Sequence, residues 1–323
     1  MLWDFSVAQC FSIIARTWPF LCLRVLVFGA FAIIFAVLTA SGGVIGHELG
    51  PSFSDFSPAQ AGLFGGAAGI GLAILVLRIL REYTLYLVKA GHIAVMGEMM
   101  DGARIPASIS QVAIGAKTVK DNFAEASTLF VLDQLIKGVL KVVENFFKRI
   151  GSLIPFLGPI LSLVESVITI AVTYVDEMIL AHIMRTRPAN VWRAGADALV
   201  IYAQNARLMF KNAFWLAMFL IVFEVAVFAA IYFLLPLPAF VDFTIEGANG
   251  ARLAAGIIGV VVVAGVFVEP FSVCAMLQVF NKVARTQRPD PEVERRLAEK
   301  SEEFRDLRDG RPDGLTTGFQ PAE

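Results

Sequence analysis

Three carboxylates stand where charge is costly. Glu165 lies in the apolar run 154–175, Glu224 in 214–235 and Glu269 in 253–277, and each is the one acidic residue of its run. An ionised side chain at mid-bilayer costs about 2.5–3.5 kcal/mol on insertion scales, so a carboxylate kept there is a candidate site for a proton or a cation. The competing reading is a protonated or Arg-paired structural residue. Glu269 precedes Pro270, which frees a backbone carbonyl, and Phe267 and Phe271 flank it. A carboxylate beside aromatic faces suits a quaternary ammonium or another organic cation.

A denser polar group sits in VLDQLIKGVLKVVENFFKRI (131–150). On a helix, Asp133, Lys137, Lys141, Glu144 and Lys148 share one arc of roughly 80°. Leu132, Leu135, Ile136, Val139, Val143, Phe146 and Phe147 take the opposite side. The spacing allows Asp133–Lys137, Lys141–Glu144 and Glu144–Lys148 contacts. Three geometries fit: an interfacial amphipathic helix, a crossing helix whose polar face lines a path opposite Glu165, or a soluble helix. Insertion cost favours the interface; the count of crossings on either side favours the path.

The elements that must position these residues are membrane spans. Of 323 residues, 57% are hydrophobic and 17% charged, against about a quarter charged in soluble domains. With a mean hydropathy of +0.70, the chain reads as an all-α polytopic membrane protein whose first partner is the lipid bilayer. Runs 18–40, 61–77, 214–235 and 253–277 are long and apolar enough to cross about 30 Å of hydrocarbon. Run 154–175 is apolar but broken by Pro155, Gly158 and Pro159. The acidic loops 41–60 and 236–252 are expected outside, while Arg78, Arg81 and Lys89, Arg185 to Lys211, and Lys282 to Arg296 place both termini and two basic regions in the cytoplasm. A bacterial inner membrane is the expected location. Because the regions near Lys120 and Arg185 are both inside, the chain between them crosses an even number of times: twice, or not at all with a re-entrant turn at IPFLGP.

A threefold repeat favours two crossings there and about six membrane-embedded segments in all. Amphipathic stretches 6–18, 109–123 and 198–212 each deliver a basic residue (Arg16, Lys120, Lys211) before an apolar run, and the units close alike in ARIP, RTRP and RTQRP. The expected organisation is one transmembrane domain, 1–289, with units 5–106, 107–188 and 189–289. A charged cytoplasmic helix (290–309) and a disordered tail (310–323) follow. The register that sets Lys120 on Lys211 also sets Asp133 on Glu224, and laying YVDEMILAHIM (174–184) over FVEPFSVCAML (267–277) sets Asp176 on Glu269. The competing reading is chance similarity among apolar helices.

Other signals exclude more than they assign. A net charge of −1 without a basic aromatic stripe argues against nucleic acid. Cys10, Cys22 and Cys274 lack metal spacing and read as reduced packing residues at lipid level; no cofactor is implied. His47 reads as a polar loop residue, and with His92 and His182 it builds no catalytic grouping, so an enzyme is not expected. Asp4 near the start argues against a cleaved leader. Gly65 and Gly69 in FGGAAGIG suit close helix packing. Val293, Leu297, Phe304 and Leu307 share one face of the tail helix, which is expected to dock on the cytoplasmic surface, on a protein partner or on a second copy.

The run 162–289 resembles the choline-transporter-like family of solute carriers. The resemblance rests on PANVWRAGADALVIYAQNAR (188–207), where Ala198 and Asn205 match a Gly-x-x-Phe-x-x-Ser-Ala pattern leading to an Asn. Pro188, Val191, Ala194 and Gly195 depart from that pattern. PFSVCAM (270–276) is similar to the family's last span, with Val279 where an acidic residue is expected. The resemblance implies a carrier for choline-like cations, and Glu269 is the inferred rather than matched cation site. A pathway through Glu165, Glu224, Glu269, Phe267, Phe271, Asp133 and Lys137 is the first expectation. A membrane scaffold or assembly factor that transports nothing is the second.

Overall fold

The computed structural model describes residues 2–52, 56–122, 131–140, 174–234 and 245–310, and the regular elements among them are all helical. Glu165, the run 154–175 and the second half of the charged stretch fall outside these residues. The chain divides into two compact units, residues 19–89 and residues 1–18 with 90–323.

The smaller unit holds nearly all of α2 (Trp18–Leu49) and the first part of α3 (Pro58–Met100). At 32 residues α2 is about 48 Å long, more than enough to cross the hydrocarbon. Leu26 is 69% exposed, Ile33 65% and Leu63 77%. In water each would forfeit about 1.5–3 kcal/mol of burial, so these faces belong in lipid. The expected outer loop 41–60 is corrected to a short connection, because α2 runs to Leu49 and α3 begins at Pro58. His47 therefore lies in the last turn of α2, not in a loop. The glycines of SGGVIGHELG form a packing stripe. A Cβ on Gly42 would stand 2.3 Å from the Gly65 carbonyl oxygen, and one on Gly46 2.3 Å from that of Ala61. Gly65 and Gly69 complete the contact as expected, with no room for a side chain at either.

The larger unit begins with α1 (Val7–Arg16), takes α3 from Ala90 onward, and adds α4 (Ser110–Asn122), α5 (131–140), α6 (Val175–Thr186) and α7 (Val191–Gln204). Next come α8 (Ala206–Leu234) and α9 (Ile245–Val263), which passes through a π-helical turn (Ala264–Val268) into α10 (Glu269–Ala284). The charged tail is two helices, α11 (Pro291–Lys300) and α12 (Glu302–Asp309), hinged at Ser301. Polar caps set the starts: Ser6, Asn190, Asp290 and Ser301 each accept a backbone N–H from the first turn that follows. Arg187 ends α6 in the left-handed region at φ 45°, with Pro188 behind it.

Helices α8 and α9 pair as a hairpin, with the Phe228 ring over Gly256 and the Ile231 side chain over Gly259. Val222, Val225, Ile258 and Val261 are exposed to lipid, whereas Leu220 and everything buried before it on α8, and nearly all of α10 from Val268 onward, pack into protein. The apolar run 253–277 is therefore two things: a lipid-facing span and the central helix of a packed body. Hydropathy reads both alike. Among the described residues, four helices are long and apolar enough to cross a membrane: Trp18–Leu49, Pro58–Arg78, Ala206–Leu234 and Ala255–Ala284.

Layout bears on the repeat. In both α1–α2 and α7–α8 a short helix breaks at one polar residue before a long apolar helix, at Thr17 and at Asn205. The Thr17 hydroxyl donates to the Ile13 carbonyl and the Asn205 amide to that of Ile201. The stretch 198–212 straddles the second break, while 6–18 ends just past the first.

Candidate functional site

The exposed-to-buried seam of the α8–α9 hairpin carries Glu224, Glu269, Phe267 and Phe271 of the sequence's candidates. Pro270 has no N–H and crowds the preceding turn, and the helix widens there: the Glu269 N–H reaches back five residues to the Ala264 carbonyl. Such π-turns insert an extra residue into a helix and are common at functional sites. Ser272, fully buried, returns its hydroxyl proton to the Val268 carbonyl at 2.8 Å. Tyr174, just before α6, has its phenol within hydrogen-bonding reach of Ser272, and the carboxylates of Glu269, Glu177 and Glu224 all act on it electrostatically. Acidic groups from α6, α8 and α10 thus lie within electrostatic range of one phenol.

Aromatic rings close the other side. Phe267 stacks on Phe271 at 6.1 Å, Phe223 lies 5.8 Å from Phe267, and Phe219 lies 5.5 Å from Phe271. Phe11 of α1 touches both, at 5.7 and 5.1 Å. Phe267 and Phe271, which flank Glu269 in the chain, differ in exposure. Phe271 is 1% exposed and serves as a packing anchor, while Phe267, Phe223 and Phe11 keep accessible faces.

Asp133 and Lys137 go elsewhere. They join at 2.6 Å on α5, and Lys137 also stands 3.8 Å from Asp176 of α6. Asp133 is 2% exposed, and burial pushes its carboxyl up to about 6 against the pull of Lys137. Burial, then Glu177, raises Asp176 well above the carboxylate range. The opposite face of α5 is core: Leu132 and Ile136 are fully buried, Leu132 against Gly195 of α7, and Gly138 lies under Glu303 of α12. Asp133 and the apolar face of α5 are thus covered by helices of the packed body, α12 among them, while Gln134 and Lys137 stay exposed. Among the described residues no three His, Cys, Asp or Glu side chains group as metal ligands.

What the sequence missed is a polar clamp on the N-terminal segment. Asp4 pairs with Lys211 at 2.5 Å and accepts from the Asn212 amide at 2.9 Å, and its backbone carbonyl accepts from Lys282. Lys211 and Asn212 hold the Asp4 carboxyl below its usual range. Gln278 accepts the Ser6 N–H at 2.8 Å and donates to the Cys10 sulfur at 3.1 Å. Nothing in the local sequence joins these positions. Cys10 and Cys274, distant in sequence, are buried in contact as free thiols, and Cys22 is exposed. His92 is buried with its Nε2 2.9 Å from the Thr17 hydroxyl, and His182 is T-stacked on Phe280.

The long apolar helices with their exposed apolar bands are compatible with an integral membrane protein. A scan against family models and searches of curated proteins and of solved structures gave no match.

Proposed function

We propose that this membrane protein is a carrier that binds a small organic cation at the seam where the α8–α9 hairpin enters the packed body. The observation that supports it is the ring cluster of Phe267, Phe223 and Phe11, in which Phe223 adjoins Glu224 in the chain and Phe267 lies two residues from Glu269, with both carboxylates and Glu177 within electrostatic range of Tyr174. Carboxylates attract the charge, and ring faces hold an alkylated ammonium that cannot donate a hydrogen bond. A widened turn in a membrane helix gives the site a backbone that can change its pitch. Charge placement supports an orientation with both termini in the cytoplasm, since Lys211, Lys282, Arg285, Arg185 and Arg187 belong to the ends of α8, α10 and α6 near the N-terminal clamp.

Purified protein in liposomes is expected to take up a labelled quaternary ammonium, choline being the simplest probe. Glu269→Gln and Glu224→Gln should each cut uptake about tenfold or more while leaving folding intact, a loss of about 1.4 kcal/mol or more in cation affinity. Uptake absent for a panel of cations, or unaltered in both variants, would leave the scaffold reading in its place.

A further inference from the structure

We infer that Cys10 and Cys274 form a peroxide-responsive redox pair: their oxidation to a disulfide staples α1 to α10 and fixes Phe11 over the ring cluster of the seam. The two thiols come from opposite ends of the chain and meet, fully buried, where α1 packs on α10. A disulfide requires facing side chains, and thiols already in contact on packed helices need little backbone movement to join. Gln278, one turn beyond Cys274 on α10, donates its amide N–H to the Cys10 sulfur at 3.1 Å and accepts the Ser6 N–H at 2.8 Å. The same residue lines a cavity of about 160 Å³, as does Gln9, which precedes Cys10. A water takes about 30 Å³, so the cavity admits hydrogen peroxide, and rotation of the Gln278 side chain brings it to the sulfur.

The chemistry closes with peroxide as the oxidant. The Cys10 sulfur loses its proton and attacks one peroxide oxygen; an S–O bond forms, the O–O bond breaks, and the departing hydroxide takes the proton as water. The Cys274 sulfur then loses its proton and attacks the Cys10 sulfur; the S–S bond forms, the S–O bond breaks, and a second water leaves. Two thiols give up two electrons and one peroxide becomes two waters. With the termini in the cytoplasm, as proposed above, the pair rests reduced and is converted only under peroxide.

Placement gives the bond a consequence. Phe11 follows Cys10 and meets the Phe267 and Phe271 rings at 5.7 and 5.1 Å, and Phe271 lies one turn before Cys274. Phe11 is 40% exposed, so α1 alone holds it at the edge of the seam. Stapling α1 to α10 removes the freedom of Phe11 to swing aside for a cation. This lock rests on the carrier reading; the disulfide does not.

Hydrogen peroxide added to the full chain carrying Cys22→Ser, in a non-ionic detergent, tests the pair. Mass spectrometry after unfolding in an alkylating agent is expected to find an unlabelled species lighter by two hydrogen atoms and a peptide joining Cys10 to Cys274. The unfolding temperature should rise on oxidation and fall back with dithiothreitol, since the bond restricts the unfolded chain. Two free thiols after peroxide, or Cys10 carried to a sulfinic or sulfonic acid without a link, overturns the pair. Uptake of labelled choline by liposomes tests the lock: oxidation should lower it about tenfold or more, reversibly, and leave a Cys274→Ala variant unchanged. A disulfide that forms without altering uptake overturns the lock. Absence of uptake by the reduced chain overturns the lock together with the carrier reading, and the disulfide measurement still decides the pair.

Discussion

Asp133 shows how one residue can register pH. Its carboxyl is held near 6 in the folded chain, against 3.8 when unfolded, chiefly by burial. Between those values the folded state binds more protons than the unfolded, so its contribution to stability falls as pH rises from about 4 to about 6. Lys137 on its own helix, its side chain half exposed, and Asp176 across from it act on the carboxyl. Asp133→Asn removes the titration. The variant is expected to be more stable than the native chain at pH 7, by up to about 3 kcal/mol, and equal to it near pH 4. Thermal unfolding of both proteins across that range measures the difference; parallel curves would refute the assignment.

Two contacts set the behaviour of whole elements. The α2–α3 pair meets backbone to backbone at Gly42, Gly46, Gly65 and Gly69, whereas a Cβ on Gly71 meets nothing within 4 Å. Gly65→Val should cost about 1–3 kcal/mol or more through overpacking, with Gly71→Val close to neutral. Disulfide crosslinking between cysteines engineered on α2 and α3 would report the loss of contact. At the other end of the chain, Phe304 and Leu307 are fully buried, and Arg193 grips Glu294 through two bonds of 2.8 and 3.0 Å. Phe304→Ala is expected to cost about 3–5 kcal/mol of the tail's docking and to expose residues 290–309 to limited proteolysis. The tail was legible as amphipathic from Leu297, Phe304 and Leu307. That its apolar face is covered by the protein's own helices was not, because an apolar stripe does not name what it packs on.

For the molecule as a whole, the clamp on Asp4 ties the N-terminal segment to the start of α8 and the end of α10, which leads into the tail helices. Cysteines placed at Ser6 and Glu299 in a background without Cys10, Cys22 and Cys274 should therefore react with an impermeant maleimide from one face of sealed vesicles, and a cysteine at Asn249 from the other. Labelling of Ser6 and Glu299 from opposite faces would break the arrangement.

The sequence by itself determined the membrane class, the positions of four apolar runs and the glycine packing of Gly65 and Gly69, because each depends on composition and spacing within one helix. It also singled out Glu224, Glu269 and Phe267, since charge or aromatic density inside an apolar run stands out locally. Only the tertiary structure decided the rest. It separated the lipid-facing half of 253–277 from its packed half, moved Phe271 into the core, enclosed Asp133 among other helices, and joined Asp4 to residues more than two hundred positions away. Burial by lipid and burial by protein favour the same side chains, and a long-range contact leaves no trace in local periodicity.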